Sequence, residues 1–104
     1  MSIRVGFSER AIADLQDIYD YIAPRGNERI ARDYVARLYA YCLDFQVFPE
    51  RGVRRDDLRP GLRLIGYRRQ ATIAFAVLGH DVTILRVFQR GRDVETLMRE
   101  VDPT

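Results

Sequence analysis

The sequence predicts an α+β fold in which a short N-terminal strand precedes an antiparallel helical hairpin and a mainly antiparallel sheet. Two observations predict this fold. Apolar residues first recur at spacings of three and four over two segments with a very short connection, which is typical of paired helices. They then alternate with polar residues over three segments joined by short turns, which is typical of hairpin-connected strands. The predicted order is β-α-α-β-β-β with a short C-terminal helix, and 104 residues suffice for a single domain, 1–104.

The N-terminal quarter of the chain predicts one strand and one helix. Arg4 to Phe7 belongs to an alternating pattern, and Ser8 follows as the predicted N-cap of the first helix. The predicted buried stripe of this helix consists of Ile12, Leu15, Tyr19 and Ile22. Three acidic residues lie off the stripe: Asp14, Asp17 and Asp20. Pro24 and Gly26 end the helix, because the residue before a proline is pushed out of helical geometry.

A second helix is predicted from the N-cap Asn27 to a stop at Pro49. Its predicted buried stripe consists of Ile30, Tyr34, Leu38, Cys42 and Phe45, with Val35 and Tyr41 alongside. The only cysteine, Cys42, therefore reads as a buried thiol rather than a nucleophile. The matching stripes and the short connection predict that the two helices pack as an antiparallel hairpin.

Three strands are predicted after a polar loop at 49–61. Their ranges are Leu62 to Tyr67, Thr72 to Leu78 and Val82 to Gln89. Alternation places Ile73, Phe75 and Val77 on one face of the second of these strands, and Val82, Ile84 and Phe88 on one face of the third. Asp93 is the predicted cap of a last short helix over Val94 to Val101.

Positive charge is concentrated in the second half of the chain. Residues 51–92 contain ten arginines and three acidic residues, whereas both flanks are acidic. All 17 basic residues are arginine, whose guanidinium binds carboxylates and phosphates in two-point contacts. This block suits nucleic acid or an acidic protein segment as partner. No run approaches the ~18 apolar residues of a membrane span, and no signal region precedes the first strand, so a cytoplasmic protein is expected.

Few residues in the sequence offer catalytic or metal-binding chemistry. The only histidine, His80, falls in a predicted hairpin turn and is expected to be an exposed turn residue. One histidine and one cysteine provide no zinc set, and no glycine-rich phosphate-binding motif is present, so neither cofactor nor metal is expected. Two loop carboxylates are expected to pair with neighbouring arginines: Asp56 and Asp57 with Arg54, Arg55 or Arg59.

Three motifs mark the start of the first helix, the entry to the sheet and the last strand with its turn. They are SERA at Ser8 to Ala11, LRPGLR at Leu58 to Arg63, and ILRV…RD between Ile84 and Asp93. Their order and spacing cover nearly the whole chain and resemble those of the small ParE/RelE toxins. These toxins are paired with antitoxins in type II toxin–antitoxin operons. The resemblance implies the fold already predicted from the pattern.

The resemblance implies different activities for different branches of this superfamily. RelE-like members cut mRNA on the ribosome with residue sets drawn from Lys, Arg, Glu, His and Tyr. Here Phe88 and Gln89 occupy the C-terminal turn and lysine is absent, which leaves only Tyr67 as a candidate acid and Glu50 as a candidate base. The ParE branch fits better and implies a toxin that inhibits DNA gyrase by binding. A ribosome-dependent mRNA endonuclease is the alternative, and a member that binds antitoxin without toxicity is a third reading.

The resemblance also implies a cognate ParD-like antitoxin that forms a hetero-oligomer with the chain. The candidate antitoxin-binding residues are Tyr21, Ala36, Tyr39, Ala40, Leu43, Arg59 and Arg63. The candidate target-binding residues are Arg68, Arg69, Arg86, Phe88, Arg90 and Arg92. An acidic antitoxin tail would form charge-assisted hydrogen bonds with the basic block. Neither a membrane partner nor sequence-specific DNA binding by this chain alone is expected.

Overall fold

The computed structural model describes residues 2–99 and contains every predicted element. The elements are β1 (Arg4–Phe7), α1 (Glu9–Ile22), α2 (Glu28–Leu43), β2 (Val53–Arg54), β3 (Leu62–Tyr67), β4 (Ala71–Leu78), β5 (Asp81–Gln89) and α3 (Val94–Arg99). The sheet order is β1-β5-β4-β3-β2, in which β1 runs parallel to β5 and the other pairs are antiparallel. The predicted α+β class is confirmed. The predicted end of the last helix, residues 100–101, lies outside the described residues.

The helix caps form as the sequence predicts, but one face of α1 is assigned wrongly. The Ser8 hydroxyl oxygen accepts from the Ala11 N–H at 3.0 Å, and the Asn27 side chain accepts from the Ile30 N–H at 2.8 Å. The buried face of α1 is Ala11, Asp14, Leu15 and Ile18, whereas Ile12 is 58% exposed. Asp14 binds the Arg86 guanidinium and the Val87 N–H of β5, so this face of the helix, and not the predicted stripe, lies against the sheet.

The segment after α2 differs from the prediction because Arg51 holds it in a non-helical course. α2 ends at Leu43 and a single 3₁₀ turn, Asp44–Gln46, follows. The Arg51 guanidinium donates to the carbonyls of Asp44 and Phe48 at 3.1 and 2.5 Å, and it lies 4.7 Å from the centre of the Phe45 ring. The Phe48 carbonyl thereby gains a donor, and the Asp44 carbonyl, which also accepts from the Val47 N–H at 3.0 Å, gains a second one. Phe48 is left 70% exposed.

Two apolar clusters lie on opposite faces of the sheet. The cluster under α1 and α2 includes Ala11, Leu15, Ile18, Leu38, Cys42, Phe45, Tyr67, Ile73, Phe75, Val82, Ile84 and Val87. The cluster under α3 consists of Leu62, Ala74, Phe88 and Met98, with Leu58, Leu64, Leu85, Val94 and Leu97 packed against it. Among the elements of residues 2–99, no helix combines the length and the apolarity that crossing a bilayer requires.

A β-bulge in β5 explains why Phe88 does not lie on the predicted face. Ala74 pairs with Arg86 while Phe75 pairs with Ile84, so Leu85 is an extra residue in the ladder. An extra residue reverses the alternation of side chains beyond it. Val87 consequently joins the cluster under the hairpin, and Phe88 joins the cluster under α3. The prediction that Phe88 shares a face with Val82 and Ile84 is wrong for this reason.

Cys42 should be unreactive in the folded protein. Its side chain is fully buried, as predicted, and burial raises the pKa of the thiol to about 12. At pH 8 the thiolate fraction is therefore roughly 10⁻⁴, and only the thiolate attacks disulfide reagents. We expect no colour with a chromogenic disulfide reagent in native buffer and one thiol per chain after unfolding in guanidinium. Rapid reaction of the native protein would contradict the packing around α2.

Candidate functional site

Arg86 and Phe88, two of the candidate target-binding residues, are buried and unavailable to a target. Arg86 is 6% exposed and Phe88 is 1% exposed. The Arg86 guanidinium donates to both oxygens of Asp14, with Nε–Oδ2 at 2.8 Å and Nη2–Oδ1 at 3.1 Å. It also lies 4.7 Å from the centre of the Phe88 ring. We therefore correct the target-binding prediction for these two residues, since the Arg86 guanidinium is held by Asp14 of α1 and Phe88 packs in the cluster under α3.

The Asp14 carboxylate joins α1 to the bulged part of β5. Besides the two bonds from Arg86, its Oδ2 accepts from the Val87 N–H at 2.8 Å. That N–H lies beyond the end of β1, which pairs with β5 only as far as Ile84. A buried main-chain donor without a partner is costly. Here the Asp14 carboxylate accepts the hydrogen bond that a carbonyl of a neighbouring strand would otherwise accept. The link fixes the strand that leads into the C-terminal turn.

The turn between β3 and β4 holds two arginines in a strained conformation. Arg68 and Arg69 have φ values of 50° and 57°, and the Gln70 N–H donates to the Tyr67 carbonyl at 2.9 Å. Positive φ at both central residues is typical of a type I′ turn, where Asn-Gly is strongly preferred. Each such non-glycine residue costs about 1–2 kcal/mol. Strain of this kind is often found at functional sites.

The same turn is joined to the end of β5, which brings the exposed arginines together. The Arg90 N–H donates to the Gln70 carbonyl at 2.9 Å. Arg68 and Arg90 line the same cleft, and their neighbours Arg69 and Arg92 are exposed beside them. Among residues 2–99, none of these four arginines forms an ion pair. We call Arg68, Arg69, Arg90 and Arg92 the arginine surface.

An open cleft of about 800 Å³ lies between the connected end of the helical hairpin and the arginine surface. Its apolar lining comes from the hairpin: Ile18, Tyr21, Ile22, Ile30 and Tyr34. Its polar lining consists of Arg37, Arg68, Gln70, Gln89 and Arg90, with Gly91 at the turn. Burial and the neighbouring Tyr67 raise the pKa of Tyr34, and the charges of Arg37 and Arg68 offset part of this rise. Sequence reasoning identified only Tyr21, Arg68 and Arg90 among the lining residues as binding candidates.

The candidate antitoxin-binding residues occupy separate parts of the structure. Tyr21 lines the cleft, whereas Ala36, Tyr39, Ala40 and Leu43 are exposed residues of α2. Tyr39 also stacks on Phe7 of β1, with ring centres 4.8 Å apart. Arg63 lies on β3 and donates to the Arg51 carbonyl at 3.4 Å, and Arg59 lies in the preceding loop. Sequence reasoning missed two strongly exposed apolar residues beside Leu43, namely Val47 and Phe48.

The other residues considered for catalysis do not share a site. His80 is exposed in the turn before β5, as predicted. Tyr67 is 6% exposed and packs against Tyr34 and Tyr41, with ring centres 6.1 and 4.9 Å apart. Glu50 lines a separate cavity of about 210 Å³ beside Arg54 and Arg63. Tyr67 and Glu50 are therefore not brought into one site.

The acidic loop residues form the ion pairs predicted for them. Asp56 pairs with Arg54 at 2.9 Å and Asp57 pairs with Arg55 at 2.9 Å. A hydrogen bond from the Gly61 N–H, followed by the Arg54 guanidinium, holds the pKa of Asp56 below its ordinary value. Arg55 also binds Glu95 of α3 at 3.1 Å. The ion pairs of Asp56 and Asp57 therefore lie within this loop, and the Arg55–Glu95 pair joins the loop to α3.

Comparisons with known proteins agree with the fold and the motifs. The family described as "ParE toxin of type II toxin-antitoxin system, parDE" matches residues 5–94 of this chain. Ten chains of solved structures are similar, among them one from a structure titled "Chromosomal ParDE TA system from P. aeruginosa". That chain is 25% identical with a TM-score of 0.74, and the match covers 85% of this chain and 96% of that one. No curated protein matches.

Proposed function

The chain belongs to the ParE toxin family of type II toxin–antitoxin systems, and we propose that it inhibits DNA gyrase by binding and is neutralised by a ParD-like antitoxin. An antitoxin partner follows from membership of this family. The gyrase target, the neutralising hetero-oligomer and action in the cytoplasm are our proposals. The proposal assigns the chain no covalent chemistry of its own.

The observation that carries the proposal is the arginine surface. Four guanidinium groups project from two hydrogen-bonded turns and, within residues 2–99, have no carboxylate partner. One of these turns keeps two arginines in a backbone conformation that other residues adopt at lower cost. A surface of this kind suits an anionic partner such as DNA held by gyrase, because arginine binds phosphates in two-point contacts.

The arrangement supports inhibition by binding better than cleavage of RNA. Proton transfer to a reacting group requires the acid and the base to reach the same substrate at hydrogen-bond distance. Tyr67 is enclosed by two other tyrosine rings, and Glu50 lines a different cavity. The arginines that line the cleft stabilise negative charge but do not exchange protons at neutral pH.

We place the main antitoxin contact along the exposed side of α2 and the segment that follows it. Tyr39, Leu43 and Val47 are exposed apolar residues at spacings of four, and Phe48 continues the row. Arg51 fixes the backbone of this segment through the bonds described above. An amphipathic antitoxin helix would bury these residues against its own apolar face. Arg59 and Arg63 remain candidates for its acidic residues.

The experiment that tests the target is a gyrase assay with toxin that has been separated from its antitoxin and refolded. Relaxed plasmid, gyrase and ATP are incubated with increasing toxin, and both supercoiling and protein-trapped cleaved DNA are measured. We expect loss of supercoiling together with accumulation of cleaved complexes, and reversal of both by antitoxin. A folded preparation that binds antitoxin and arrests growth without affecting gyrase would refute the gyrase proposal.

Replacing Tyr67 with phenylalanine should leave toxicity unchanged. Phenylalanine preserves the ring contacts with Tyr34 and Tyr41 and removes only the hydroxyl, so the fold should persist. An mRNA endonuclease that relied on this phenol as its acid would lose roughly 10²–10⁴-fold in rate. Growth arrest on induction in cells, scored beside wild type at matched protein levels, is the measurement. A strong loss of arrest with an intact fold would favour the endonuclease alternative.

A further inference from the structure

We propose that the arginine surface, together with Arg37 of α2, binds the phosphate backbone of duplex DNA directly and without regard to base sequence. Arg37 lines the cleft from the helical hairpin, whereas Arg68 and Arg90 line it from the two turns. DNA would therefore be held from both sides of the cleft. The part that this contact plays in gyrase inhibition rests on the proposed function, whereas the affinity for phosphates does not.

The five guanidinium groups of this site have no carboxylate partner in the part of the chain that the structure describes. All five arginines are exposed. Among the described residues that line the cleft there is no aspartate or glutamate. The carboxylate next to Arg92 in sequence, Asp93, accepts instead from the N–H and the hydroxyl of Thr96, at 3.2 and 2.7 Å. Phosphates therefore gain charge-assisted hydrogen bonds without displacing an ion pair.

The two turns lack the apolar centre that a protein partner would bury. Their residues, 68–70 and 89–92, are four arginines, two glutamines and one glycine. The large apolar side chains that are strongly exposed within residues 2–99 all lie outside these turns. Protein–protein interfaces are depleted in charge at their centre and are enriched there in aromatic side chains. Protein–DNA interfaces are more polar and much more positive, and most of their hydrogen bonds go to phosphates and sugars. The composition of the turns therefore favours DNA over an acidic protein surface.

The hairpin side of the cleft favours a duplex over a single strand. Single strands gain affinity by stacking their bases on flat aromatic rings. The Arg25 guanidinium lies 3.8 Å from the centre of the Tyr21 ring, and the half-buried Tyr34 meets Tyr67 at 65°. These rings are therefore already engaged within the protein. A duplex keeps its bases stacked and presents one phosphate charge per ~1.7 Å of its axis, which requires only cations.

The backbone of the two turns holds the site in place before DNA binds. The Arg90 N–H donates to the Gln70 carbonyl at 2.9 Å, which joins one turn to the other. Gly91 has a φ of 87°, and a Cβ at this position would meet no atom within 4 Å. A phosphate can therefore approach the backbone between Arg90 and Arg92. A preformed site of this kind reduces the entropy that is lost when the complex forms.

Binding is tested with purified full-length chain, free of gyrase, and short fluorescein-labelled duplexes of unrelated sequence. Fluorescence anisotropy should show saturable binding of similar affinity for every sequence. Each phosphate contact contributes about −0.9 to the slope of log affinity against log salt concentration. Five arginines therefore predict a slope of about −4 to −5, and a loss of roughly 10²–10³-fold in affinity between about 50 and 200 mM salt.

Single arginine variants show whether the contact lies at this site. Arg37→Gln and Arg90→Gln should each reduce the magnitude of the slope by about 0.9 and weaken binding about three- to tenfold. The matched controls Arg32→Gln on α2 and Arg10→Gln on α1 remove the same charge from exposed residues outside the cleft. They should leave the slope unchanged and the affinity within about twofold. Circular dichroism verifies that all four variants are folded.

Contact with DNA inside the gyrase complex is tested by disulfide crosslinking. Gln70→Cys places a thiol in the turn beside Arg69, and Asp17→Cys places one at an exposed position of α1. Cys42 is buried and burial raises the pKa of its thiol, so it does not compete with the introduced cysteine. With gyrase, ATP and duplex DNA whose phosphates carry tethered thiols, Gln70→Cys should crosslink to the DNA and Asp17→Cys should not.

Several results would overturn the proposal. They are absence of saturable duplex binding, a slope near zero, equal losses in site and control variants, or tighter binding of polyglutamate or oligothymidine than of the duplex. Gyrase inhibition by Gln70→Cys without a DNA crosslink would overturn the contact within the gyrase complex. Failure of the gyrase proposal has a different signature, because such a toxin would bind duplex through these arginines and leave supercoiling intact.

Discussion

Replacing Asp14 with alanine should lower the free energy of unfolding by about 3–5 kcal/mol, because it leaves the Arg86 guanidinium buried without its partner. The same change removes the acceptor of the Val87 N–H in the bulge. A domain of this size is stabilised by only about 5–15 kcal/mol in total. The melting temperature should therefore fall by roughly 15–30 °C. Thermal unfolding followed by circular dichroism is the measurement.

The neighbouring carboxylate Asp17 provides the control for this prediction. It lies on the same helix and is exposed, so Asp17→Ala should change the free energy of unfolding by about 0.5 kcal/mol or less. A double variant, Asp14→Leu with Arg86→Met, removes both charges and should recover part of the stability. Recovery should be incomplete because the Val87 N–H still lacks an acceptor. A loss below about 1 kcal/mol in Asp14→Ala would show that Arg86 finds water instead.

Replacing Arg68 with asparagine and Arg69 with glycine should produce a more stable protein that has lost most of its toxicity. Asn-Gly is the preferred pair for a turn with positive φ at both central residues, so the strain disappears. We expect a gain of about 1–2 kcal/mol after the extra freedom of glycine in the unfolded chain is included. This corresponds to a rise of roughly 5–10 °C in melting temperature.

The double variant is informative because its stability should rise while its inhibition of gyrase should fall. A purely structural turn predicts higher stability and unchanged activity, whereas the proposed target surface predicts higher stability with weaker gyrase inhibition. Arg10→Gln with Arg32→Gln removes two exposed arginines elsewhere and should retain inhibition. Growth arrest, the gyrase assay and melting temperature are measured on the same preparations. Full inhibition by the Asn-Gly variant would remove Arg68 and Arg69 from the proposed surface.

Periodicity predicted the elements well because their boundaries are set by local chemistry. β1 and β3 have the predicted ends, and α1 begins at the Ser8 cap and ends before Pro24. β2 was missed because two residues in a polar loop carry no alternation. The bulge at Leu85 was missed because it depends on Asp14, 71 positions earlier, which accepts the hydrogen bond of the freed N–H. Long-range compensation of this kind leaves no periodic signal.

The cleft was only partly predictable for a similar reason. Its walls come from α1, α2, the β3–β4 turn and the end of β5, which are distant in sequence. Apolar residues such as Ile30 were assigned to the core, because spacing alone does not show where a helix extends beyond the sheet. One local signal was present: Arg68-Arg69 occupies a tight hairpin turn where Asn-Gly is expected. A departure of this kind from turn preferences indicates a functional constraint.

The parallel pairing of β1 with β5 makes completion of the sheet wait until β5 has been synthesised. β1 is synthesised before the other described strands, yet β5, with which it pairs, begins at Asp81. At about 5–20 residues per second, roughly 4–15 s separate the synthesis of the two strands. Pairing of segments so distant in sequence is slow, because the long intervening chain must first be closed into a loop. Arg90 and Arg92 follow β5, so the nascent chain acquires its complete arginine surface only after both β1 and β5 have been synthesised.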